Sequence, residues 1–329
     1  MAVSNMDMLE VIATAKKAIT QADVGSSVLQ PAYYSKYVVE ATKDKTVLNE
    51  ARFIEMQTQQ QNIDRVGFSG RFLYPAKEGT AISNDQKASF HQNTLQAQEL
   101  GGATGIYDTT LRRTIERENF QNTLIAMFTN ASGLDLEAFC MWADKSKFAN
   151  TSILSLTDGW IKSAGIKLYG KKSSGSSTDN SDFDGTKVEK MLDAMLKAYP
   201  KEYLGNLSQM RFYVPWDILD AYRDYVIARS TGAGDIALTT DWTPVYKGIV
   251  LKYAPVLEDT EGKTTVGTAA MLVNPANLCY GIFHEITVEP DRIARERKTD
   301  WIITLEADAD YENEKAVVVA FPETEKPSS

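Results

Sequence analysis

Five carboxylates fall on alternate positions late in the chain: Glu306, Asp308, Asp310, Glu312 and Glu314. In an extended backbone that spacing puts them on one face, with Ala307, Ala309 and Tyr311 on the other. A carboxylate row could hold a hard cation or supply an acid–base pair for glycosidic cleavage. A calcium loop wants Asp-x-Asp-x-Asp-Gly, and Asn313 stands where the glycine belongs. Nothing singles out a catalytic pair, so the row reads as a solvated or interface-facing edge. The two histidines, His91 and His284, each lack a His or Cys neighbour at metal-ligand spacing. No nucleophile elbow, Walker loop or dinucleotide fingerprint occurs. The glycines of Ser230 to Gly234 lack the Lys-Ser/Thr of a phosphate cradle and read as a hinge or loop tip. No catalytic, cofactor-binding or metal residue is therefore assigned. A carboxylate-based hydrolase remains the enzymatic alternative.

The basic residues come mixed with acidic ones. Arg112, Arg113 and Arg117 interleave with Glu116 and Glu118, and Arg292, Arg295, Arg297 and Lys298 with Asp291 and Glu296. Such segments suit helix-end ion pairs or a subunit-interface rim better than a nucleic-acid groove. The formal charge of −9 over 329 residues points the same way, because nucleic-acid readers carry a clustered basic face. Cys140 and Cys279 sit among apolar neighbours and read as buried free thiols of a reducing compartment. No apolar run reaches the ~18 residues of a membrane span, and the N-terminus lacks a signal layout. A soluble protein made in a cytoplasm is expected.

Length sets a prior of about two lobes. Met8, Val11, Ile12, Ala15 and Ile19 share one face of a helix expected over residues 5–21, and a second helical piece follows Pro31. Residues 48–102 then form a long polar stretch with a Gln-rich run (Gln57, Gln59, Gln60, Gln61) and a turn-rich centre at 67–85. Two β-like arms folding back there would make a projecting ribbon. An isolated ribbon is marginal in water, so this one should lie on another copy of the protein. A strand is expected at 105–111. From Glu116 a helix carries Phe120, Leu124, Met127 and Phe128 on one face, resumed by Leu136, Phe139, Cys140 and Met141, with a break or kink at Ala131-Ser132-Gly133. Short strands are expected at 153–156 and 166–169. The tract KKSSGSSTDNSDFDG reads as a mobile surface loop. Thr186 and Glu189 form a capping-box signature before a helix with Met191, Leu192, Met195 and Tyr199 inward, ended by Pro200. Further strands are expected at 210–214, 249–253, 269–273, 286–289, 301–309 and 316–321, and a helix at 215–229. The tail PETEKPSS is disordered by composition. The class is α+β.

In this order the segments resemble the tailed-bacteriophage major capsid proteins of the Hong-Kong-97 type, a fold shared with encapsulin shells. ARFIEMQTQQQNIDRVGFSGR and ASFHQNTLQAQELGG resemble the arms of that family's extended β-hairpin, the E-loop, and TTLRRTIERENFQNTLIAMFTN its strand and spine helix. TKVEKMLDAMLKAYP, MRFYVPWDILDAYRDYV and WTPVYKGIVLKYAPVL resemble its axial domain, and residues 274–321 its closing peripheral strands. The resemblance implies an N-terminal arm at 1–46, an E-loop at 47–102, a peripheral domain at 103–165 and 284–329, and an axial domain at 166–283. It implies a structural subunit, not an enzyme, assembling into hexamers and pentamers of an icosahedral head around packaged double-stranded DNA. The encapsulin reading, a nanocompartment for protein cargo, is the alternative. Implied partners are further copies, a separate scaffolding protein (the arm starts at once), a portal, decoration proteins and non-specific contact with DNA, with no membrane and no cofactor. Inter-subunit contacts are expected at Gln59, Gln61, Arg65, Phe68, Arg71, Tyr74, Lys77, Arg112, Arg113, Arg117, Arg292 and Arg295. Some relatives weld subunits through Lys–Asn isopeptide bonds, roles for which Lys77 or Lys87 and Asn274 or Asn277 would serve here.

Overall fold

Runs such as Val317 to Phe321 and Ala270 to Val273 are apolar at every position, so strands made from them need cover on both faces. The computed structural model describes residues 45–68, 88–107, 118–172, 180–229, 242–258 and 267–327. Its strands begin with β1 (Arg52–Glu55), β2 (Gln60–Phe68), β3 (Ala88–Gln96), β4 (Gln98–Tyr107), β5 (Ile166–Lys171) and β6 (Arg211–Val214). They continue with β7 (Val245–Tyr246), β8 (Ile249–Tyr253), β9 (Ala270–Val273), β10 (Leu278–Ile293), β11 (Lys298–Tyr311) and β12 (Val317–Glu325). The helices are α1 (Glu118–Trp142), α2 (Trp160–Ser163), α3 (Val188–Ala198) and α4 (Trp216–Ile227).

A six-stranded sheet ordered β5-β12-β9-β6-β8-β7 forms the hub. Its central strands alternate between two cores. Val317, Val319, Phe321, Met271, Val273 and Tyr213 face Phe139, Cys140 and Trp142 of α1 and Trp160 of α2. Val318, Ala320, Ala270, Leu272, Phe212 and Val214 face Met191, Leu192 and Met195 of α3 and Ile218, Tyr222 and Val226 of α4. Burial on both sides explains the unbroken apolar runs. Polar tips inside the first core are satisfied: Trp142 Nε1 donates to Val256 O at 2.8 Å, and Tyr311 Oη donates to Trp160 O.

The second sheet has the order β1-β10-β11-β4, with β1 parallel to β10 and the other pairs antiparallel. β2 and β3 form a separate antiparallel ribbon. Each ribbon arm thus grows from one edge of the four-stranded sheet, β2 following β1 and β3 leading into β4.

Several expectations change. α1 runs unbroken through Ala131-Ser132-Gly133, with the end of the Lys45 side chain lying against Gly133. Residues 153–155 form a 3₁₀ turn capped by Ser152 instead of a strand. The Thr186 box does not form: Thr186 Oγ1 donates to Asp184 Oδ1 at 2.6 Å, and Lys187 caps α3 without a side-chain bond. The polar tract before it ends in a packed Phe183, 7% exposed. The tail is strand as far as Glu325, and Lys326 pairs with Asp182 at 2.5 Å. β12 joins the six-stranded sheet instead of closing the four-stranded one, and a boundary at 283/284 falls inside β10. Asn277 is 9% exposed and bonded to Asn313 through both its donor and its acceptor, which removes it from any cross-linking role. The helical pieces expected at 5–21 and after Pro31, the ribbon centre at 69–87, Ser230 to Gly234, Lys77 and Lys87 lie outside the described residues.

Candidate functional site: the root of the ribbon

The ribbon is short of apolar residues, and those it has gather at its base. Ile63 and Leu95 share a small core with Met56, Ala97 and Cys279, flanked by Ile54 and Phe283. Gly281 of β10 lies beneath: a Cβ there would stand 2.6 Å from Met56 Sδ and 2.9 Å from Leu95 Cδ1, so the root seats only on a residue without a side chain. Burial raises the Cys279 thiol to about 11, the behaviour of a packing residue and not a reactive one. Backbone bonds fix the root: Met56 N donates to Ile282 O of β10, and Ala97 N donates to Gln59 O across the base of the ribbon itself, both at 2.9 Å.

Asp308 is the polar clamp. It is 5% exposed and accepts from Gln96 N at 2.7 Å and from Thr157 Oγ1 at 2.8 Å, so one carboxylate ties the ribbon arm to the loop after α1. Burial raises its pKa against the pull of those two bonds. Next along the strand, Asp310 is raised to about 6 by burial, with the Asp308 charge adding to it. Asn93 Nδ2 donates to Tyr311 O at 2.6 Å, and Arg52 pairs with Glu312 at 2.7 Å. The expectation of a solvated or interface-facing edge is corrected at Asp308, where β11 is an inner strand and the ribbon root covers the carboxylate, while Glu314 at the end of the row is exposed. Among the described residues no group of three or more His, Cys, Asp or Glu is placed to hold a metal ion.

The two faces of the ribbon differ. On the outer face the opposed pairs Asn62/Thr94 and Asp64/Gln92 are bridged by side-chain hydrogen bonds of 3.0 and 2.9 Å, all exposed. On the inner face Gln61 opposes Leu95, Ile63 opposes Asn93, and Arg65 opposes His91. Arg65, His91 and Asn93 meet Glu312, Glu314 and Lys315 across a cleft of about 210 Å³. Of the residues expected at contacts, Gln59 is exposed at the root, while Gln61 and half-buried Arg65 take the inner face. Phe68 ends β2 opposite Ala88. Arg292 and Arg295 are exposed at the β10–β11 turn, where Arg292 Nη1 donates to Thr299 Oγ1 at 3.4 Å. Arg71, Tyr74, Lys77, Arg112, Arg113 and Arg117 lie outside the described residues.

A second anchor holds the chain just before β1. Glu137, 1% exposed inside α1, accepts from Val47 N at 2.8 Å and Leu48 N at 3.1 Å, and burial raises its pKa. Glu50 accepts from Tyr213 Oη and from Lys252 Nζ at 2.8 Å. Burial opposes the charge on Glu50, but those two partners outweigh it and its pKa falls below the usual carboxylate range. Residues 45–51 thereby stitch α1 to the six-stranded sheet. The sequence signal for Glu137 was a lone charge inside LEAFCMW; Glu50 had none.

No family model matches the chain. Over 315 residues it is 28% identical to "Putative prophage capsid protein YqbE" of Bacillus subtilis (strain 168), covering 94% of this chain and 96% of that one. The solved structure of Gordonia phage Cozz superposes with a TM-score of 0.62 at 10% identity, over 90% of this chain and 91% of that one. The capsid of Myoviridae phage XM1 gives 0.61 at 10% identity, over 92% and 98%. Mycobacterium phage Adephagia gives 0.60 at 14%, over 94% and 100%. The chain has the tailed-phage major capsid protein fold.

Proposed function

We propose that this chain is the major capsid protein of a tailed phage, building hexamers and pentamers of an icosahedral head around double-stranded DNA. The observation that carries this is the ribbon: a paired arm fixed at its base by a core, a clamp and a seat, with an exposed polar outer face bonded to nothing else described in its own body. Such an arm adds contact area between neighbours that a flat edge lacks. In this reading residues 1–46 are the N-terminal arm, 47–102 the E-loop and α1 the spine. The four-stranded sheet belongs to the peripheral domain, and the six-stranded sheet with the helices α3 and α4 forms the axial one. A scaffolding protein, a portal and decoration proteins are the expected partners. The negative charge keeps packaged DNA from adhering to the wall.

Negative-stain microscopy of the expressed chain, alone and with a scaffold candidate, tests the reading. Rings, capsomers or shells are expected. A chain that stays monomeric under all conditions overturns it, and shells that retain an enzyme instead of DNA turn it into a nanocompartment.

A further inference from the structure

Charge is divided unevenly along the chain. Residues 144–172 hold six lysines (Lys145, Lys147, Lys162, Lys167, Lys171 and Lys172) against two acids, Asp144 and Asp158. That is a formal +4, which leaves −13 for the rest of a chain whose total is −9.

The fold gathers the centre of this segment into one patch. The loop after α1 presents Lys145 and Lys147 to solvent. Lys162 of α2 reaches back to that loop, with Nζ 3.2 Å from Ser146 Oγ and 3.3 Å from Asp144 Oδ1. Lys167 of β5 donates from Nζ to Lys162 O at 2.6 Å. Burial, and then the charges of Lys162 and Lys147, hold Lys167 below the ordinary lysine range. Both acids within the patch are committed. Asp144, 3% exposed, accepts from Ser146 and pairs with Lys162, while Asp158 accepts from Lys145 N at 3.0 Å. Exposed Glu314, whose carbonyl accepts from Gly165 N at 3.1 Å, marks the border.

The makeup of the patch decides between partners. Protein interfaces draw on aromatic residues, Met and Arg, and are poor in Lys. Residues 144–172 contain no arginine, and the exposed large apolar side chains of the described residues all lie outside them. Their one tyrosine, Tyr169, is half-buried and stacked on Phe321, so no open ring offers a platform for an unpaired base. What remains is ammonium groups beside exposed Ser146, Asn150 and Thr151, donors that suit the phosphates of a duplex.

We propose that the patch of Lys145, Lys147, Lys162 and Lys167 is the surface through which this chain touches double-stranded DNA, holding backbone phosphates without regard to sequence. The inference deepens the capsid reading and rests on it for the identity of the polyanion. The acidic remainder of the chain keeps the contact weak and confined to this patch.

Fluorescence anisotropy of a labelled random-sequence duplex, titrated with dilute full-length chain, tests it. Lys145→Glu combined with Lys147→Glu should weaken binding about tenfold or more, and Lys145→Arg combined with Lys147→Arg should bind as wild type. Raising sodium chloride from about 0.05 to 0.2 M should weaken the wild type by about 40-fold, the response to three phosphate contacts. Lys190→Glu combined with Lys201→Glu makes the same change of net charge at exposed positions by the two ends of α3, which packs on the other face of the six-stranded sheet. That control should cost less than about threefold. Equal weakening by both Glu pairs would mean net charge alone acts, and overturns the proposal, as does unchanged binding by the first pair. Unchanged binding with loss of particles in microscopy would assign the patch to another copy and overturn it too. The titration needs no shell, so its failure leaves the capsid reading standing. A chain that binds the duplex here yet never assembles overturns that reading alone.

Discussion

Asp308 loses its hydration on burial and regains part of that free energy from one amide and one hydroxyl. Asp308→Ala would leave Gln96 N and Thr157 Oγ1 without their acceptor, a loss of about 1–3 kcal/mol. The expected result is a lower melting temperature with faster exchange at the Gln96 amide; unchanged exchange there would remove Asp308 from the clamp. Asp310 makes a separate, pH-dependent prediction. Its pKa in the fold is about 6, above the ordinary range of an aspartate, so the folded state favours the protonated form. That contribution is fully present below about pH 4 and is lost as pH rises through 6. Asp310→Asn cannot ionise, so its stability relative to wild type should climb by roughly 1–3 kcal/mol between pH 4 and 7.5 in denaturant titrations. A difference that stays flat with pH refutes the assignment. Gly281→Ala presses a methyl group into Met56 and Leu95, both under 4% exposed, and should destabilise by about 1–3 kcal/mol.

Elements whose partners lie on one side, or whose runs are wholly apolar, could be read directly from the sequence. α3 shows its buried face as Met191, Leu192 and Met195, and β8 falls at 249–253 as its apolar run implies. The ribbon was legible as a polar stretch, but its root was not. Gly281, Thr157 and Asp308 are far apart in sequence and ordinary by type, and only the register of β10, β11 and β4 brings them together. β10 was seen in part because register shifts between Ile282 and Thr287 break its alternation, and Pro290 and Arg292 disguise its far end. The separation of root from distal ribbon gives a prediction of its own. Replacing residues 69–87 by a two-residue Asn-Gly turn leaves Asp308, the Met56–Leu95 core and both ribbon bases in place. The body should melt within about 2 °C of wild type while particle formation is lost in microscopy. Normal particles from this variant would show that the distal ribbon carries no assembly contact.

At the scale of the whole molecule, two electrostatic effects would compete during the proposed assembly. Each subunit carries a formal −9, and bringing many such subunits together is opposed by like-charge repulsion that acts across tens of ångströms in dilute salt. Against this stand exposed pairs of the kind Arg292 and Arg295 could make at a neighbour, each contributing about 0.2–1 kcal/mol in the most favourable range. The ribbon offers amides and hydroxyls on its outer face, Asn62, Thr94 and Gln92 among them, whose hydrogen bonds respond little to ionic strength. The repulsive term is the larger and the more strongly screened, since the Debye length falls from about 30 Å at 0.01 M salt to about 10 Å at 0.1 M. Raising sodium chloride from 0.01 to 0.3 M should therefore lower the protein concentration at which shells appear in light scattering, several-fold. A threshold that rises instead would mean that specific charge pairs at the interface, and not the net charge, set the assembly free energy.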